Sequence, residues 1–282
     1  LTYTKLALCT GARARRLPTP GVDLPGIHYL RTAADVELIR AAATPGRRVV
    51  IVGGGYIGLE TAASLCSLGM NVTVLEATER VLERVTAPEV SAFYTRIHNG
   101  EGVEIRTHAL VEAFSGNGGV QEVVLADGES IPADLVIVGV GVVPNTELAS
   151  AAGLSVDNGI VIDDQARTSD PDIVAAGDCT SHTMARYGSR IRLESVSSAG
   201  EQAKIAAATI CGKHSAIAAL PWFWSDQYDL KLQIAGLNTG YDEVVPANPH
   251  LVEAGGTLVS ASSIAELAEK IGLPAAALTA TV

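Results

Sequence analysis

Short apolar runs alternate along the chain with stretches of helical spacing, and this pattern predicts an α/β fold. Residues 49–52 and 135–138 are unbroken runs of Val, Ile and Leu, which are typical of buried strands in a parallel sheet. Apolar side chains recur at helical spacing over residues 88–98 and 194–211, and Gly212 is placed to end the second stretch. A shorter helix is predicted at 34–43. Further strands are predicted at 3–9, 72–75, 103–105, 110–114, 120–125, 173–176, 230–234 and 241–245.

Glycine, proline and polar clusters separate these elements. Residues 13–26 are rich in Arg, Pro and Gly, so they are predicted to form a loop. The Asp127-Gly128 pair predicts a hairpin turn that joins 120–125 to Ile131. Residues 139–145 form a glycine-bearing turn directly after the second apolar run.

The most informative stretch begins with strand 49–52, which is followed at once by glycines at positions 53, 55 and 58. The spacing G-x-G-x-x-G suits a dinucleotide site: Gly53 permits a tight turn, Gly55 lets the backbone approach a pyrophosphate, and Gly58 lets helix and strand pack closely. A helix follows, and its N-terminus offers N–H groups and a positive dipole end to phosphates. The next strand ends at Glu76, where a carboxylate accepts the ribose hydroxyls of an adenosine. This combination predicts NAD binding.

Glu76 also favours NADH over NADPH, because its carboxylate would repel a 2′-phosphate, although the nearby Arg80 would soften that preference. The alternative interpretation of the glycine motif is a glycine-rich turn in an unrelated α/β protein. Gly141 is expected to line the nucleotide crevice, because ligands of open α/β sheets lie outside the carboxyl ends of the strands. For Gly141, a plain strand-to-loop turn is the alternative.

Two further features allow more than one interpretation. Asp178 follows Gly177 at the end of strand 173–176, where a carboxylate is well placed to bind a polyol chain, although a helix N-cap or an Asx turn is equally consistent. Residues 222–228 contain both tryptophans of the chain. They form either a packing cluster or a wall against a planar cofactor, and the residues alone favour the packing cluster.

Composition narrows the class of protein. The chain has 282 residues, of which 48% are hydrophobic and 18% charged, and its net charge of −11 disfavours a nucleic-acid partner. No segment approaches the ~20 unbroken apolar residues of a membrane helix, and no signal-peptide pattern begins the sequence, so no membrane association and a cytoplasmic location are expected. The cysteines at 9, 66, 179 and 211 lie far apart, which indicates neither a metal site nor a redox dithiol. We expect these thiols to be buried and inert.

Several motifs together resemble one family, the FAD-dependent NADH:ferredoxin reductases of cytochrome P450 and aromatic-ring dioxygenase systems. The resemblance covers residues 1 to about 245. It is carried by the following segments: Thr10-Gly11, residues 53–60 with Glu76, residues 168–178, residues 192–196, and residues 222–228.

The resemblance implies a glutathione-reductase-like fold, in which a Rossmann-like NAD-binding domain is inserted into an FAD-binding α/β domain. The implied division is a partial first FAD segment at 1–44, the NAD domain at 45–150, a second FAD segment at 151–245 and an atypical tail at 246–282. It also implies an N-terminal truncation, because such reductases begin with a G-x-G-x-x-G of their own for FAD. In the tail, residues 262–272 are predicted to form a capped helix.

Residue roles follow from the same resemblance. On the FAD side it implies Thr10, Gly11 and Arg31, Asp178 on the ribityl chain, and the backbone of Val196 beside the isoalloxazine. Glu60 is implied near the nicotinamide, and Trp224 is implied beside the flavin where electrons leave. From the residues alone, Arg31 reads as a solvated arginine and Glu60 as an ordinary first-turn helix acid. The residues implied to hold NADH are Gly53, Gly55, Tyr56, Ile57, Gly58, Glu76 and Gly141.

The implied activity is hydride transfer from NADH to FAD, followed by single-electron transfer to a [2Fe-2S] ferredoxin-type protein. The absence of a close cysteine pair disfavours a disulfide reductase of related fold. Two alternatives stay open: an NAD-binding fragment without turnover, and another flavin oxidoreductase such as an NADH oxidase or a nitrite reductase subunit.

Overall fold

The structure is a computed structural model, and it describes residues 2–241. Its helices are α1 (Ala33–Ala42), α2 (Tyr56–Ser67), α3 (Pro88–Gly100), α4 (Glu147–Ala151) and α5 (Val196–Ile210). Its strands are β1 (Leu6–Leu8), β2 (Ala12–Ala14), β3 (Ile27–Tyr29), β4 (Arg48–Val52), β5 (Asn71–Leu75), β6 (Glu104–Arg106), β7 (Val111–Ser115), β8 (Glu122–Leu125), β9 (Ser130–Pro132), β10 (Leu135–Val138), β11 (Val142–Pro144), β12 (Ile160–Ile162), β13 (Ile173–Ala175), β14 (Thr180–Met184), β15 (Ser189–Ile191), β16 (Trp222–Gln227) and β17 (Leu230–Ala235).

A parallel five-stranded sheet in the order β3-β10-β4-β5-β6 forms the centre of the first unit. The apolar runs of β4 and β10 occupy its middle, because both faces of these strands are covered. Val52 pairs with Leu75 on one side and with Val138 on the other, so the carboxyl ends of β4, β5 and β10 lie side by side. The residues that follow these strands therefore meet at one edge of the sheet.

Each face of this sheet has its own cover. On one face, α1, α2 and α3 bury apolar side chains against β4 and β5, including Ile39, Leu59 and Tyr94. On the other face packs the antiparallel sheet β7-β8-β9, which contributes Phe114 and Val123. β3 and α1 precede residue 45 yet pack with this unit. The division of the chain at 44/45 stays a prediction.

A second core lies around α5. It is built by the parallel pair β1–β13, by the sheet β12-β14-β15 and by the buried side of α5, with Leu8, Ile160 and Ile205 among its members. Two antiparallel pairs complete the fold: β2 with β11, and β16 with β17. The β16–β17 hairpin packs on α2 and places Leu232 in the first core.

The structure confirms the predicted α/β class, the strands at 49–52 and 135–138, the helices and the hairpin at Asp127-Gly128. Two loop predictions are wrong in part, because residues 12–14 and 142–144 pair as β2 and β11 across the chain. No pattern in the sequence predicted α4 or the strands β3, β12, β14, β15 and β16. Of the predicted strand 241–245, residues 242–245 lie outside the described residues, as does the predicted helix 262–272.

The burial of the cysteines differs from expectation. Cys179 is buried, but Cys9 and Cys211 are exposed and Cys66 is half-buried. Within residues 2–241, no helix is long and apolar enough to cross a membrane.

Candidate functional site

The three glycines after β4 have three different environments. Gly53 adopts a φ of +110°, and a Cβ there would lie 2.4 Å from the carbonyl oxygen of Gly139. A Cβ at Gly58 would lie 2.0 Å from the carbonyl oxygen of Gly53, so α2 crosses the end of β4 in backbone contact. A Cβ at Gly55 would meet no atom within 4 Å in the part of the chain that the structure describes. The turn is thus closed toward the protein at two glycines and open toward solvent at the third, as a turn that receives a pyrophosphate requires.

The start of α2 is free for a ligand. Gly55 is the N-cap, so no side chain of the described residues caps the first N–H groups of this helix, and its first turn has no acidic residue. The positive end of the helix dipole is therefore available to an anion. Ile57 is exposed and Tyr56 is half-buried, with its ring 4.5 Å from that of Phe223. Burial raises the pKa of the Tyr56 hydroxyl, which stays protonated.

Glu76 lies at the end of β5, beside the glycine turn, as the sequence predicted. One carboxylate oxygen accepts the N–H of Gly54 at 2.7 Å, and the other accepts the N–H and the hydroxyl of Thr78, both at 2.9 Å. These bonds hold the carboxylate at the edge of the sheet where the ribose of a dinucleotide is bound in this type of turn. Charge-assisted bonds of this kind are among the stronger hydrogen bonds in proteins.

Arg80 is not available to a 2′-phosphate in this conformation. Its guanidinium donates to the carbonyl oxygens of Thr86 and Glu83 at 3.0 and 2.9 Å, and to the hydroxyl of Ser91 at 2.6 Å. The neighbouring Leu82 adopts a φ of +55° and donates its N–H to the carbonyl of Gly54 at 2.9 Å. A buried leucine in this region of backbone space is costly, and such strain is concentrated at functional sites.

Gly141 follows β10 and has a φ of +91°. Since β10 pairs with β4, the turn after β10 lies beside the Gly53 turn, which is where the sequence placed it. The exposed Arg84 comes close to this turn: its guanidinium would lie 3.8 Å from a Cβ at Gly141. Arg84 supplies a cation at a crevice that otherwise presents backbone groups and Glu76.

A second turn forms at Thr10-Gly11, and Asn145 holds it. The Thr10 hydroxyl donates to the carbonyl of Asn145 at 2.5 Å, and the side-chain amide of Asn145 donates back to the carbonyl of Thr10 at 2.8 Å. The N–H of Asn145 also donates to the carbonyl of Gly11 at 2.9 Å. Gly11 has a φ of +62°, so the turn requires a residue that tolerates the left-handed region.

Arg31 and Asp178 meet beside this turn. The Arg31 guanidinium donates to a carboxylate oxygen of Asp178 at 2.8 Å and, through Nε, to the carbonyl of Ala12 at 3.0 Å. The side chains are 37% and 18% exposed, so Arg31 is not a freely solvated arginine. A Cβ at Gly11 would lie 3.9 Å from the same guanidinium. Thr10, Gly11, Arg31 and Asp178, widely separated in sequence, therefore form one cluster.

Asp178 lies in a turn that is hydrogen-bonded to α5. The buried side chain of Gln202 accepts the N–H of Gly177 at 2.7 Å and the hydroxyl of Thr180 at 2.8 Å. Gly177 has a φ of +89°, which the buried amide stabilises. The side-chain oxygen that meets Arg31 is thus presented by a fixed backbone.

The start of α5 and the tryptophan hairpin lie together. Val196 is the first residue of α5 and is 71% exposed, an unusual exposure for a valine. Ser197 donates a hydrogen bond to the carbonyl of Trp222. The rings of Trp222 and Trp224 stack with centroids 5.2 Å apart and planes inclined by 29°. Trp224 is half-buried and Trp222 is 41% exposed, so the pair reaches from the interior to the surface.

Glu60 connects α2 to this hairpin. One of its carboxylate oxygens accepts the hydroxyl of Ser225 at 2.6 Å. Burial raises the pKa of the Glu60 carboxyl, and bonds from Ser225 and from the backbone of Asp226 oppose the shift. Glu60 lies in the second turn of α2 and is half-buried and bonded to a neighbouring strand, so the interpretation from the residue alone, an ordinary first-turn helix acid, is wrong.

Three residues of these clusters were not predicted: Asn145, Gln202 and Arg84. Gln202 had a signal in the sequence, because it occupies the buried face of an amphipathic helix where an apolar residue is expected. Asn145 and Arg84 gave none, since their contacts join segments remote in sequence.

A cavity of about 230 Å³ lies at the other end of the parallel sheet, where Arg48, Asn71 and Arg106 line it. Its arginines are already paired, Arg48 with Asp134 and Arg106 with Glu104 and Glu129. Both arginines of the cavity lining therefore already have carboxylate partners.

Known proteins resemble this chain over most of its described length. The family described as pyridine nucleotide-disulphide oxidoreductase matches residues 1–203, and the family described as reductase C-terminal matches residues 222–262. Putidaredoxin reductase of Pseudomonas putida is 49% identical over 251 residues, which is 87% of this chain and 60% of the relative. Rhodocoxin reductase of Rhodococcus erythropolis is 43% identical over 243 residues, covering 86% of this chain and 57% of the relative.

Among solved structures, the covalent putidaredoxin reductase–putidaredoxin complex matches with a TM-score of 0.83 at 49% identity, over 86% of this chain and 60% of that chain. The chain thus spans about three fifths of the length of the relatives that it matches.

Proposed function

Because the chain belongs to the pyridine nucleotide-disulphide oxidoreductase family, as the match over residues 1–203 shows, we propose that it serves electron transfer from NADH through FAD to a [2Fe-2S] ferredoxin-type protein. The recipient system would be a cytochrome P450 or a dioxygenase. The putidaredoxin and rhodocoxin reductases among its relatives support this choice of acceptor.

One observation carries the proposal: two nucleotide-type turns occur in one chain, and each has an acidic residue fixed beside it. The first comprises the glycine turn after β4 with Glu76, and the second comprises Thr10-Gly11 with Asp178. A single-nucleotide enzyme needs only one such turn. The Trp222–Trp224 stack, which reaches the surface beside α5, supports a route for electrons out of the protein.

The residues beside the first turn fit NADH. Open space at Gly55 accommodates a pyrophosphate, and the uncapped start of α2 supplies N–H groups to it. Glu76 would accept the ribose hydroxyls, and Arg80 is bonded toward the protein and does not offer its charge to a 2′-phosphate, which supports NADH over NADPH. We further assign Tyr56, Ile57 and Gly141 to the same site, Glu60 to its nicotinamide end, and Arg84 as an additional contact.

The residues beside the second turn fit one part of FAD. Asp178 offers a carboxylate to hydroxyl groups of a ribityl chain, and the ion pair with Arg31 holds that carboxylate in one orientation. Val196 presents exposed apolar surface at a helix start, and Trp224 presents an aromatic face, both of which suit a planar ring. When bound, FAD supplies the conversion between two-electron and one-electron chemistry.

We propose the domain division that the sequence predicts, with NADH at 45–150 and FAD at 1–44 and 151–245. A cytoplasmic location is also proposed, because NADH is the reductant. Fractionation of cells that express the protein would test this location. Nucleic acid is not a proposed partner, given the net charge of −11.

The deciding experiment is reconstitution with FAD followed by titration with NADH. We expect flavin absorbance in the purified protein, bleaching on addition of NADH, and reduction of a purified [2Fe-2S] ferredoxin. Asp178→Asn should lose retained FAD, while Glu76→Ala should keep FAD and lose NADH affinity. Protein that binds NADH but never FAD would contradict the proposal and would leave an NAD-binding unit without turnover. Bleached flavin that passes electrons to oxygen but not to ferredoxin would identify an NADH oxidase instead.

A further inference from the structure

A continuous chain of side-chain hydrogen bonds connects Glu60 to Tyr228. The Ser225 hydroxyl lies 2.6 Å from a Glu60 carboxylate oxygen, and the side-chain amide of Gln227 lies 3.1 Å from the Ser225 oxygen. Nε2 of His98 lies 2.8 Å from the side-chain oxygen of Gln227, and the Tyr228 hydroxyl lies 3.1 Å from Nδ1 of His98. This chain of hydrogen bonds joins α2, β16 and α3, three elements that are separate in sequence.

The chemistry of the groups fixes the direction of every bond up to the histidine. A carboxylate only accepts, so Ser225 must donate to Glu60, and its oxygen then accepts from the amide nitrogen of Gln227. The amide oxygen of Gln227 faces His98 and needs a donor, so Nε2 of His98 carries a proton. Nδ1 of the neutral ring is then the acceptor for the Tyr228 hydroxyl. All donors point toward Glu60.

Burial makes this direction hard to change. Ser225, Gln227 and His98 are each 0% exposed, so water does not replace a lost partner. Burial also lowers the pKa of His98, which favours the neutral ring, and raises the pKa of Tyr228, which keeps its hydroxyl a donor. Hydrogen bonds that share one direction polarise and strengthen one another.

We propose that His98 and Gln227 are positioning residues, which hold the Glu60 carboxylate in one orientation at the nicotinamide end of the NADH site. The part of this inference that concerns NADH rests on the proposed function. His98 fixes which end of the Gln227 amide faces Ser225. Without that bond the amide is free to turn its oxygen to Ser225, whose hydroxyl then donates to Gln227 and leaves Glu60.

The first test measures the tautomer and the charge of the His98 ring directly and needs no nucleotide. Long-range 1H–15N NMR spectra of the protein distinguish the two neutral tautomers and the charged ring, and His98→Phe identifies the His98 signals. We expect a neutral ring with the proton on Nε2 at pH 7. A proton on Nδ1 alone, or a charged ring at pH 7, would overturn the hydrogen-bond chain whatever the protein does with NADH.

The second test reads the consequence for NADH affinity, measured from the fluorescence of NADH on binding. His98→Phe keeps a buried aromatic ring but removes the donor, and we expect NADH to bind about five- to tenfold more weakly, the effect of one hydrogen bond. Ser225→Ala should weaken binding at least as much. The matched control is Tyr94→Phe, one turn earlier on the same helix, where the buried hydroxyl has no hydrogen-bond partner among residues 2–241. NADH should bind this variant like the unaltered protein.

A double variant separates positioning from general damage. In the Glu60→Ala background there is no carboxylate to orient, so adding His98→Phe should weaken NADH binding no further. Equal affinity of His98→Phe and the unaltered protein, or losses that add in full with Glu60→Ala, would refute the positioning role. If His98→Phe fails to fold, the His98 signals are assigned through their connection to the backbone resonances of the unaltered protein, whose NMR spectrum then decides the bond direction. If the unaltered protein does not bind NADH, that result counts against the proposed function and not against the chain of hydrogen bonds.

Discussion

Replacement of Gly58 by alanine should separate the packing role of the third glycine from any role in binding. A Cβ at this position would lie 2.0 Å from the carbonyl oxygen of Gly53, which is a backbone atom of the residue that directly follows the buried strand β4. The contact is therefore not relieved by rotation of a side chain. The start of α2 must move away from β4 instead.

The size of the effect follows from two opposed contributions. Alanine in place of glycine within a helix contributes about 1 kcal/mol of stability. Overpacking against an immovable neighbour costs about 3 kcal/mol, at the upper end of its usual range. The net loss is about 2 kcal/mol, which corresponds to a melting temperature lower by about 4–8 °C for a chain of this size.

Gly200 provides the matched control, because it also lies inside a helix, α5, and a Cβ there meets no atom of residues 2–241 within 4 Å. Gly200→Ala should raise the melting temperature, since only the favourable helix contribution remains. Both variants are compared by circular dichroism during heating, without nucleotide. A Gly58→Ala protein that melts at or above the temperature of the unaltered protein would show that the close approach of α2 to β4 is not required.

Three further predictions concern charge. Glu76→Gln should weaken NADH binding about tenfold, which is the lower range for the loss of a bond to a charged group. The same variant should reduce the preference for NADH over NADPH, measured by fluorescence titration. An unchanged preference would show that Glu76 does not cause it. Arg31→Gln leaves Asp178 without its ion-pair partner and should reduce the FAD retained after gel filtration, which absorbance at flavin wavelengths measures; full retention would contradict the assigned role. Hydrogen bonds from Arg48 lower the pKa of Asp134 from 3.8 to about 2, so its contribution to stability is present above pH 4 and is lost as the pH falls toward 2. The melting temperatures of Asp134→Asn and the unaltered protein should therefore differ at pH 6 and converge near pH 2.

Elements whose formation depends on local sequence were predictable. The apolar run of β4, the glycine motif and Glu76 are contiguous, and each constrains its neighbours through turn geometry and burial, so the sequence specified their arrangement. By contrast, β14 is the polar segment Thr180–Met184, which is buried only because other strands and α5 surround it. Four consecutive polar residues in this segment gave no apolar pattern from which a buried strand could be predicted. The pairing of β2 with β11 joins segments more than 120 residues apart, and no local pattern encodes it.

The site divides in the same way. The role of Glu60 needed tertiary contacts, because its partner Ser225 lies 165 residues away. The same holds for Arg31, which looks like a solvated arginine until Asp178 is brought to it. The resemblance to known reductases supplied both residues, whereas Asn145, Gln202 and Arg84 emerged from the structure.

The reciprocal bonds between Thr10 and Asn145, together with the β2–β11 pair, have a mechanical consequence. Within residues 2–241 the chain passes between its two cores three times, and two of these crossings follow these segments, which run antiparallel and are bonded to each other. Two units joined by one strand would swivel about a single covalent axis. A paired double crossing resists torsion and leaves only bending, so the two proposed nucleotide sites would keep a nearly constant separation. Most of the entropy cost of aligning the two nucleotides would then be incurred when the protein folds. Little of that cost would remain each time NADH binds.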